Sequence, residues 1–331
     1  MSGRLLFGCA AAGLFLCTAG VRAAPPADAE RFIVGIGRSI HDPAPAADAL
    51  RWLGVRSMRV DAPWQSIEIA PGRYAIPAWL DDAVDTALAD NIEPLLILVY
   101  GHSLYGGDKP RSAAALAAFT RYALHVTKHF EGRVRLFDLW NEWDGRTGRT
   151  SLGTPEDYVA LARHAYPAIK AANPQAVVLS GGISRHGLDH GFVERFIELG
   201  GLRYVDALSL HPYNALRGGS PEDAVAEVDR VHALAPAVAI YVTEMGYPAF
   251  AGRGGVSREK AADYLARFML LASTRPYIAG VWWYCLRDQG SDPADKEHHF
   301  GAFDFAWQPK PAAYALRAVA RQIAEAGRLH P

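Results

Sequence analysis

Residues 136–143 read LFDLWNEW, and residues 240–248 read IYVTEMGYP. Each stretch begins as a short apolar run and then reaches a glutamate, Glu142 in the first and Glu244 in the second. Six further apolar runs occur along the chain, and amphipathic helical patterns lie between the runs. Apolar runs that are continuous, rather than alternating with polar residues, are typical of parallel strands covered by helices. The pattern therefore predicts strands and helices in alternation.

The eight runs predict the strands of one parallel sheet. They cover residues 31–36, 57–61, 94–100, 133–140, 176–180, 205–210, 239–244 and 279–284. TPED at residues 154–157 and SPED at 220–223 each join an N-cap residue to proline and early acidic residues, which is typical of a helix start. Eight such units in about 300 residues predict an α/β fold, a single (β/α)8 TIM barrel. The alternative is a doubly wound open sheet, but residues 35–40, GIGRSI, lack the third glycine of a dinucleotide-binding loop.

The composition excludes several classes of protein. The chain has 331 residues, of which 50% are hydrophobic and 21% charged, and its formal net charge is -1. A disordered chain would have fewer apolar residues and a larger net charge. A protein that binds nucleic acid is usually visibly basic, so we expect no nucleic acid partner.

The first 24 residues are expected to form a signal peptide (residues 1–24) rather than part of the fold. Arg4 precedes an apolar run that ends near Ala19, and the small residues Ala23 and Ala24 offer a cleavage site. The run of about 15 residues is shorter than the roughly 20 that a membrane-spanning helix needs, which disfavours a membrane anchor. We therefore expect a periplasmic or secreted protein without stable membrane insertion, in which residues 25–331 form the barrel. Cys285 is the one cysteine outside the signal, so we expect no internal disulfide.

Two glutamates are the main candidates for chemistry. In a TIM barrel the functional groups lie at the carboxyl ends of the strands. Glu142 follows the fourth predicted strand and Glu244 ends the seventh, so both are expected at that end of the barrel. A single glutamate at a strand end is usually a helix cap or a surface residue. Because ionised carboxylates are rarely buried without partners, two of them at one rim among aromatic residues favour a catalytic pair.

Several motifs, taken in barrel order, resemble those of a known group of enzymes. WNE at residues 140–142 and TEMG at 243–246 resemble the two signatures of the clan A glycoside hydrolases. LGVRSMRVD at 53–61, HPY at 211–213 and WWY at 282–284 resemble strands two, six and eight of that clan. Within the clan the chain is most similar to family 39, in particular to the short bacterial exopolysaccharide-associated glycosidases of the PslG type. The resemblance covers most of the expected barrel.

The resemblance implies a retaining enzyme in which Glu142 is the acid/base and Glu244 is the nucleophile. One carboxyl must arrive protonated and the other ionised, and we expect the charge of Glu244 to raise the pKa of Glu142. Arg59 is the candidate cation that keeps Glu244 ionised, and Tyr213 is its candidate hydrogen-bond partner.

Further residues are expected to bind the sugar. Asn141 is expected to hydrogen-bond the hydroxyl beside the anomeric carbon. His211 either binds sugar or supports the nucleophile. Trp283 is expected to form the floor of the site, because apolar sugar faces stack on aromatic rings. Trp143, His102 and Tyr284 are candidates for flanking subsites.

Together these residues predict a glycoside hydrolase that acts by double displacement on an extracellular or cell-surface polysaccharide or oligosaccharide. Endo action is favoured, with a place in exopolysaccharide or biofilm metabolism. We expect neither a metal ion nor an organic cofactor. Because the sequence ends after the eighth helix, we expect no accessory β-sandwich domain of the kind that family 39 xylosidases carry. Two alternatives stay open: an exo-acting β-glycosidase of the xylosidase kind, and a catalytically silent carbohydrate-binding barrel.

Overall fold

Eight parallel strands form a nearly closed barrel in the computed structural model, which describes residues 32–39 and 45–329. The strands are β1 (Ile33–Gly37), β2 (Ser57–Pro63), β3 (Glu93–Val99), β4 (Leu136–Asp138), β5 (Val177–Leu179), β6 (Leu208–Ser209), β7 (Ile240–Met245) and β8 (Ile278–Trp283). β1 pairs with β2 and β8, and the pairing continues from β2 to β5 on one side and from β8 to β6 on the other. Parallel bridges Leu179–Ala207 and Ile183–Leu210 join β5 to β6. The predicted TIM barrel is confirmed, and the open-sheet alternative is wrong.

Helices alternate with the strands and cover the outside of the barrel. They are α1 (Pro45–Leu53), α2 (Trp64–Ile67), α3 (Ala78–Ala89), α4 (Ala113–His129), α5 (Pro155–Ala172), α6 (Arg185–Asp189), α7 (Phe192–Glu198), α8 (Pro221–Leu234), α9 (Arg258–Ser273) and α10 (Pro311–Leu329). Short 3-10 turns occupy Ser103–Tyr105, Thr147–Arg149, Gly201–Tyr204, Ala215–Arg217 and Lys296–His299. The predicted helix starts are confirmed, because the Thr154 and Ser220 side chains accept hydrogen bonds from the backbone nitrogens of Asp157 and Asp223.

The predicted strands differ from the observed ones only at their ends, by up to three residues. Arg31, the first residue of the first predicted strand, lies outside the described residues, as does the expected signal peptide over residues 1–24. An antiparallel hairpin of Glu68–Ala70 with Arg73–Tyr74 is additional to the sequence prediction. Within residues 32–39 and 45–329, no helix combines the length and the apolar character that crossing a bilayer requires.

The side chains of each strand alternate between the helices and the inside of the barrel. On β2, Met58 and Val60 belong to the large core between strands and helices. Ser57 faces inward, where its hydroxyl accepts a 2.9 Å hydrogen bond from the indole of Trp282. Arg59 and Asp61 face the same inward side and lie two and four residues closer to the carboxyl end of the strand. Apolar side chains that include Leu95 and Trp282 form a separate buried cluster inside the barrel. Polar side chains such as Arg59 and Asp61 lie toward the carboxyl end, where the site is.

Candidate active site

Asp138 is a buried junction beneath the site. Its carboxylate accepts hydrogen bonds from the backbone nitrogen of Gly181 at 2.6 Å and from the hydroxyls of Ser209 at 2.7 Å and Thr243 at 3.1 Å. These partners come from β6, from β7 and from the segment after β5. One side chain on β4 therefore ties together four neighbouring parts of the barrel wall.

The chain leaves β4 in an unusual backbone conformation that presents Glu142. Trp140 and Glu142 have φ angles of 89° and 52°, in the left-handed region that residues with a Cβ rarely adopt. Such residues cost about 1–3 kcal/mol each and persist where the surroundings fix them. Here the nitrogen of Glu142 donates to the carbonyl oxygen of Gly181 at 2.9 Å. The strain accompanies the placement of a functional side chain.

The carboxyl groups of Glu142 and Glu244 lie side by side at the carboxyl end of the barrel. One oxygen from each and a ring nitrogen of His211 all lie within 4.8 Å of one another. Retaining glycosidases need a carboxyl separation of about 5–5.5 Å, whereas inverting ones need about 6.5–9.5 Å so that a water fits between. The pair is therefore close enough for one carboxylate to attack a carbon atom that the other group's proton activates.

Glu244 is held in its ionised form. Arg59 places Nη1 2.7 Å from Oε1, and the hydroxyl of Tyr213 donates to Oε2 at 3.0 Å. Burial alone would raise the pKa of Glu244. The charge of Arg59, the neighbouring His211 and the Tyr213 hydrogen bond outweigh burial and lower the pKa below its ordinary value. The positions of Arg59 and Tyr213 beside Glu244 are those that the sequence predicted.

The pKa of Glu142 is displaced in the opposite direction from that of Glu244. Burial raises its pKa, the hydrogen bond with His211 acts against this, and the charge of Glu244 raises the pKa further. The net displacement is upward, so Glu142 keeps its proton to higher pH than an ordinary glutamate. The upward direction of the pKa agrees with the prediction, and burial contributes more to it than the charge of Glu244.

His211 supports both carboxyl groups from below. Its ring is fully buried, with Nδ1 3.0 Å from Oε1 of Glu142 and Nε2 3.0 Å from the hydroxyl of Thr243. Burial lowers the pKa of His211, and the charges of Glu244 and Glu142 more than reverse this. A Cβ on Gly182 would lie 2.4 Å from the ring, so the ring needs a glycine there. The sequence predicted sugar binding or support of Glu244 for His211, but its Nδ1 hydrogen bond goes to Glu142, and Oε2 of Glu244 lies further away, at 3.7 Å from Nδ1.

A cavity of about 820 Å³ lies above the carboxyl pair. Its wall includes residues from the loops after most of the strands, and among them are the predicted residues Arg59, Asn141, Glu142, Tyr213 and Glu244. Asn141 accepts a 2.6 Å hydrogen bond from Arg59 and donates one of 2.8 Å to the hydroxyl of Tyr100. Its amide is thereby fixed while one side of it faces the cavity.

Three predicted sugar-binding residues lie away from this cavity, which corrects their assignment. Trp283 occupies an outward position on β8, is almost fully buried and packs 6.3 Å from Tyr247. The indole of Trp143 donates to the carbonyl oxygen of Thr154 beneath the loop after β4. His102 is 2% exposed and its Nε2 contacts the backbone oxygen of Glu68. Their rings fill the core.

Tyr284, one of the predicted flanking residues, lines the cavity where Trp283 was expected, one residue further along the chain. Asp61, which was not predicted as a site residue, also lines the cavity and makes no hydrogen bond to a described residue. Burial raises the pKa of Asp61 to about 6, although Arg59 opposes this. Asp61 follows Arg59 by two residues in the same strand, so strand alternation alone would have placed the two on one face.

The two glutamates and His211 are also the kind of residues that ligate metals. Among the described residues, one potential ligand atom from each of these three lies within 4.8 Å of the other two, a spacing that could hold a metal ion. However, the guanidinium of Arg59 already neutralises Glu244 at 2.7 Å, and the raised pKa of Glu142 favours a proton on that carboxyl. A metal ion would have to compete with a fixed cation and with that proton, so these donors fit proton transfer better than metal binding.

Comparisons with known proteins agree with the fold. No protein-family model matches the chain. Endo-1,4-beta-xylanase B of Thermotoga neapolitana is 24% identical over 277 residues, which cover 77% of each chain. Among solved structures, a family 39 glycoside hydrolase from Bacteroides cellulosilyticus WH2 has a TM-score of 0.73 at 24% identity, over 88% of this chain and 64% of that one. Xylanase 10B from Thermotoga maritima has a TM-score of 0.67 at 20% identity, over 90% of this chain and 98% of that one.

These neighbours are TIM-barrel glycoside hydrolases, and the likeness extends over most of the described barrel. The chain spans less than two thirds of the Bacteroides structure. A family 39 enzyme from Xanthomonas axonopodis pv. citri is similar at a TM-score of 0.67 and 18% identity, over 88% of this chain and 66% of that one.

Proposed function

We propose that this chain is a retaining glycoside hydrolase that acts on a polysaccharide or oligosaccharide through a covalent Glu244–sugar ester. The observation that carries the proposal is the adjacent pair of carboxyl groups with opposite pKa displacements. Retaining hydrolysis needs one acid and one carboxylate at this spacing. The glycosidase neighbours support the same reaction class.

In the first step, Glu142 donates its proton to the glycosidic oxygen as the bond from that oxygen to the anomeric carbon breaks. A carboxylate oxygen of Glu244 forms the new bond to the anomeric carbon from the opposite face. Arg59 and Tyr213 hold Glu244 ionised and oriented, at 2.7 and 3.0 Å from its two oxygens. The leaving sugar departs as an alcohol, and the remaining sugar is an ester of Glu244.

In the second step, Glu142 changes role. Once Glu244 is esterified, its negative charge is gone, so one of the causes that raise the pKa of Glu142 disappears. Glu142 then accepts a proton from water while the water oxygen attacks the anomeric carbon and the ester bond breaks. The anomeric configuration is retained, and His211 remains hydrogen-bonded to the base at 3.0 Å.

The shape of the cavity supports an oligomeric substrate. The wall extends from Arg185–Asp189 and Ala215–Arg217 to Tyr284 and Phe300. Its volume of about 820 Å³ lies toward the upper end of the usual range for ligand sites. We propose that several sugar units bind along it and that cleavage is internal to the chain. Action on an extracellular or exopolysaccharide glycan, in the periplasm or after secretion, belongs to the same proposal and rests on residues 1–24 and the motif resemblance.

Azide rescue tests the roles of the two glutamates. Glu244→Ala should lose turnover of an aryl glycoside and regain part of it with azide, giving the glycosyl azide of inverted configuration. Glu142→Ala with azide should instead give the retained azide, since the nucleophile is intact. Glu222→Gln is the control, because Glu222 pairs with Arg267 on the surface, outside the cavity. Exchanged product configurations would reverse the two roles.

A second measurement separates hydrolysis from a silent binding barrel and endo from exo action. Purified exopolysaccharides and xylans are incubated with wild type and Glu142→Gln, and both reducing ends and viscosity are followed. A rapid fall in viscosity with few new reducing ends supports internal cleavage. Release of single sugars would support the exo-acting alternative. Binding by isothermal titration without turnover across the panel would refute the hydrolase proposal.

A further inference from the structure

Lys109 is a buried ammonium group beneath the loop that carries Glu142. It precedes α4, and the residue is 4% exposed. Its Nζ donates to the carbonyl oxygens of Gly145 at 3.1 Å and Ser151 at 2.6 Å and to the hydroxyl of Thr150 at 2.5 Å. All three N–H groups of the ammonium therefore have acceptors, and every acceptor belongs to one short segment, residues 145–151.

The clamped segment is continuous with the proposed acid/base. The nitrogen of Gly145 donates to the carbonyl oxygen of Glu142 at 2.9 Å. The hydroxyl of Thr147 donates to the carbonyl oxygen of Asn141 at 3.0 Å, and the hydroxyl of Thr150 donates to the backbone carbonyl oxygen of Thr147 at 2.8 Å. A continuous set of hydrogen bonds thus connects Lys109, through this segment, to the strained backbone at residues 140–142.

Neighbouring contacts strengthen this clamp without replacing Lys109. A carboxylate oxygen of Asp108 accepts from the nitrogen of Ser151 at 2.9 Å, and Arg111 donates to the carbonyl oxygen of Leu152 at 2.7 Å. Both bonds hold the far end of the segment. Lys109 is the part of the clamp that reaches the near end, at Gly145, three residues from Glu142.

A buried lysine of this kind is costly for the fold. No described carboxylate forms an ion pair with its Nζ, and the nearest rings, those of Trp140 and Trp143, lie 5.9 and 5.7 Å away. Burying a charge without an ionic partner is unfavourable, and an apolar side chain would pack here at lower cost. Neutral carbonyl and hydroxyl acceptors explain how the charge is tolerated, and the segment that they organise explains what it does.

We propose that Lys109 is a positioning residue, whose protonated ammonium holds residues 145–151 in place and thereby fixes Glu142 over the anomeric carbon. The part of the inference that concerns catalysis rests on the proposed function, whereas the ordering of the segment does not. A neutral amine has two N–H groups and a lone pair, so loss of the proton leaves one acceptor without a donor. Deprotonation should therefore loosen the segment.

The charges around Lys109 determine when this occurs. Asp108 and Arg111 lie on its own segment, and Asp144 and Arg146 face it from the loop after β4. Burial lowers the pKa of Lys109. The two aspartates raise this pKa and the two arginines lower it further, so that the pKa of Lys109 is about 8. The ordering of the segment should consequently be lost in mildly alkaline solution.

Hydrogen exchange of the peptide covering residues 141–153 tests the ordering directly. Corrected for intrinsic rates, its protection in wild type should fall at least about tenfold between about pH 6.5 and 9.5, with α4 unchanged. Lys109→Met should show the low protection at both pH values. Lys170→Met is the matched control, because Lys170 also donates to a backbone carbonyl but at the opposite end of the barrel. It should behave as wild type.

Equal protection in wild type and Lys109→Met would overturn the proposal, as would protection in wild type that does not change with pH. If Lys109→Met does not fold, the pH series on wild type decides, together with Lys109→Arg, which stays charged and should keep its protection at alkaline pH. None of these readouts requires turnover, so they can succeed even if the proposed hydrolase activity fails.

Kinetics then test the connection to Glu142. Lys109→Met should lower kcat at least about tenfold on an aryl glycoside with a poor leaving group, with KM within about threefold. Glycosylation by the matching 2,4-dinitrophenyl glycoside, whose leaving group needs no proton, should change much less. Equal loss on both substrates would mean that Lys109 acts only through general stability, and would refute its positioning role.

Discussion

Replacing Arg59 by methionine should shift the acidic limit of activity strongly upward. Arg59 lies 2.7 Å from Glu244, and both side chains are almost buried. At a charge separation of about 4 Å and an effective dielectric constant of about 20, two unit charges attract by about 4 kcal/mol. Removing the cation should weaken ionisation of Glu244 by up to about 10³-fold, because about 1.4 kcal/mol corresponds to tenfold.

The sign of the pH effect follows from the two carboxyl groups. The active form has Glu244 ionised and Glu142 protonated, so activity falls at low pH as Glu244 gains a proton and at high pH as Glu142 loses one. Arg59 lowers the pKa of Glu244 and thereby extends activity toward acid. At about pH 6, kcat/KM of Arg59→Met should fall by up to about 30-fold, because ionisation that is up to a thousandfold weaker leaves at least about 3% of Glu244 charged, and part of the loss should be recovered as pH rises.

The assay is a pH profile of kcat/KM on the nitrophenyl glycoside that wild type cleaves fastest. Arg56→Met is the control and should match wild type, because Arg56 is exposed and immediately precedes the same strand. Arg59→Lys keeps the charge but not both contacts, those with Glu244 and Asn141, and should lie between the two. An Arg59→Met profile that superimposes on that of wild type would refute the electrostatic role of Arg59.

Three further outcomes are expected. Asp61→Asn should raise the Tm above about pH 6 and leave it unchanged near the ordinary pKa of 3.8, because the raised pKa of Asp61 means that the fold favours the uncharged form. The pKa difference between 3.8 and about 6 corresponds to at most about 3 kcal/mol in the free energy of unfolding. Because Asp61 lines the cavity, glycan binding measured by calorimetry should weaken in the same variant. A lower Tm in alkaline solution would contradict this. Glu142→Ala should lower kcat about 10²–10⁴-fold on poor leaving groups but show a burst of dinitrophenol from activated substrates; loss of the burst would argue against Glu142 as the acid. Dialysis against EDTA should leave kcat unchanged, and activity restored by a divalent ion would contradict proton-only chemistry.

The barrel could be predicted from sequence because its main signals are local. Continuous apolar runs and capped helix starts each lie within a few consecutive residues, and all eight predicted strands are present. The hairpin at Glu68–Ala70 and Arg73–Tyr74 is too short to produce a periodic pattern.

The site was predictable in part. Glu142, Glu244 and Tyr213 end strands or follow them closely, so barrel order brings them to one rim, and Arg59 reaches the same cavity from within β2. Trp283 was misplaced because an aromatic side chain in a strand can face either side, and one residue of difference moves it from cavity to core. The role of Lys109 depends on contacts with residues 145–151, about 40 positions away, which no local pattern reveals.

Asp138 has a consequence for how this protein can change its specificity over evolutionary time. Its carboxylate bonds to Thr243, the residue before Glu244, and to Gly181, whose carbonyl oxygen holds the nitrogen of Glu142. The distance between the two reacting carboxyl groups is thus fixed by the barrel strands below the site. Insertions and exchanges in the rim loops above can select a different glycan while that distance, and with it the stereochemical course, is preserved.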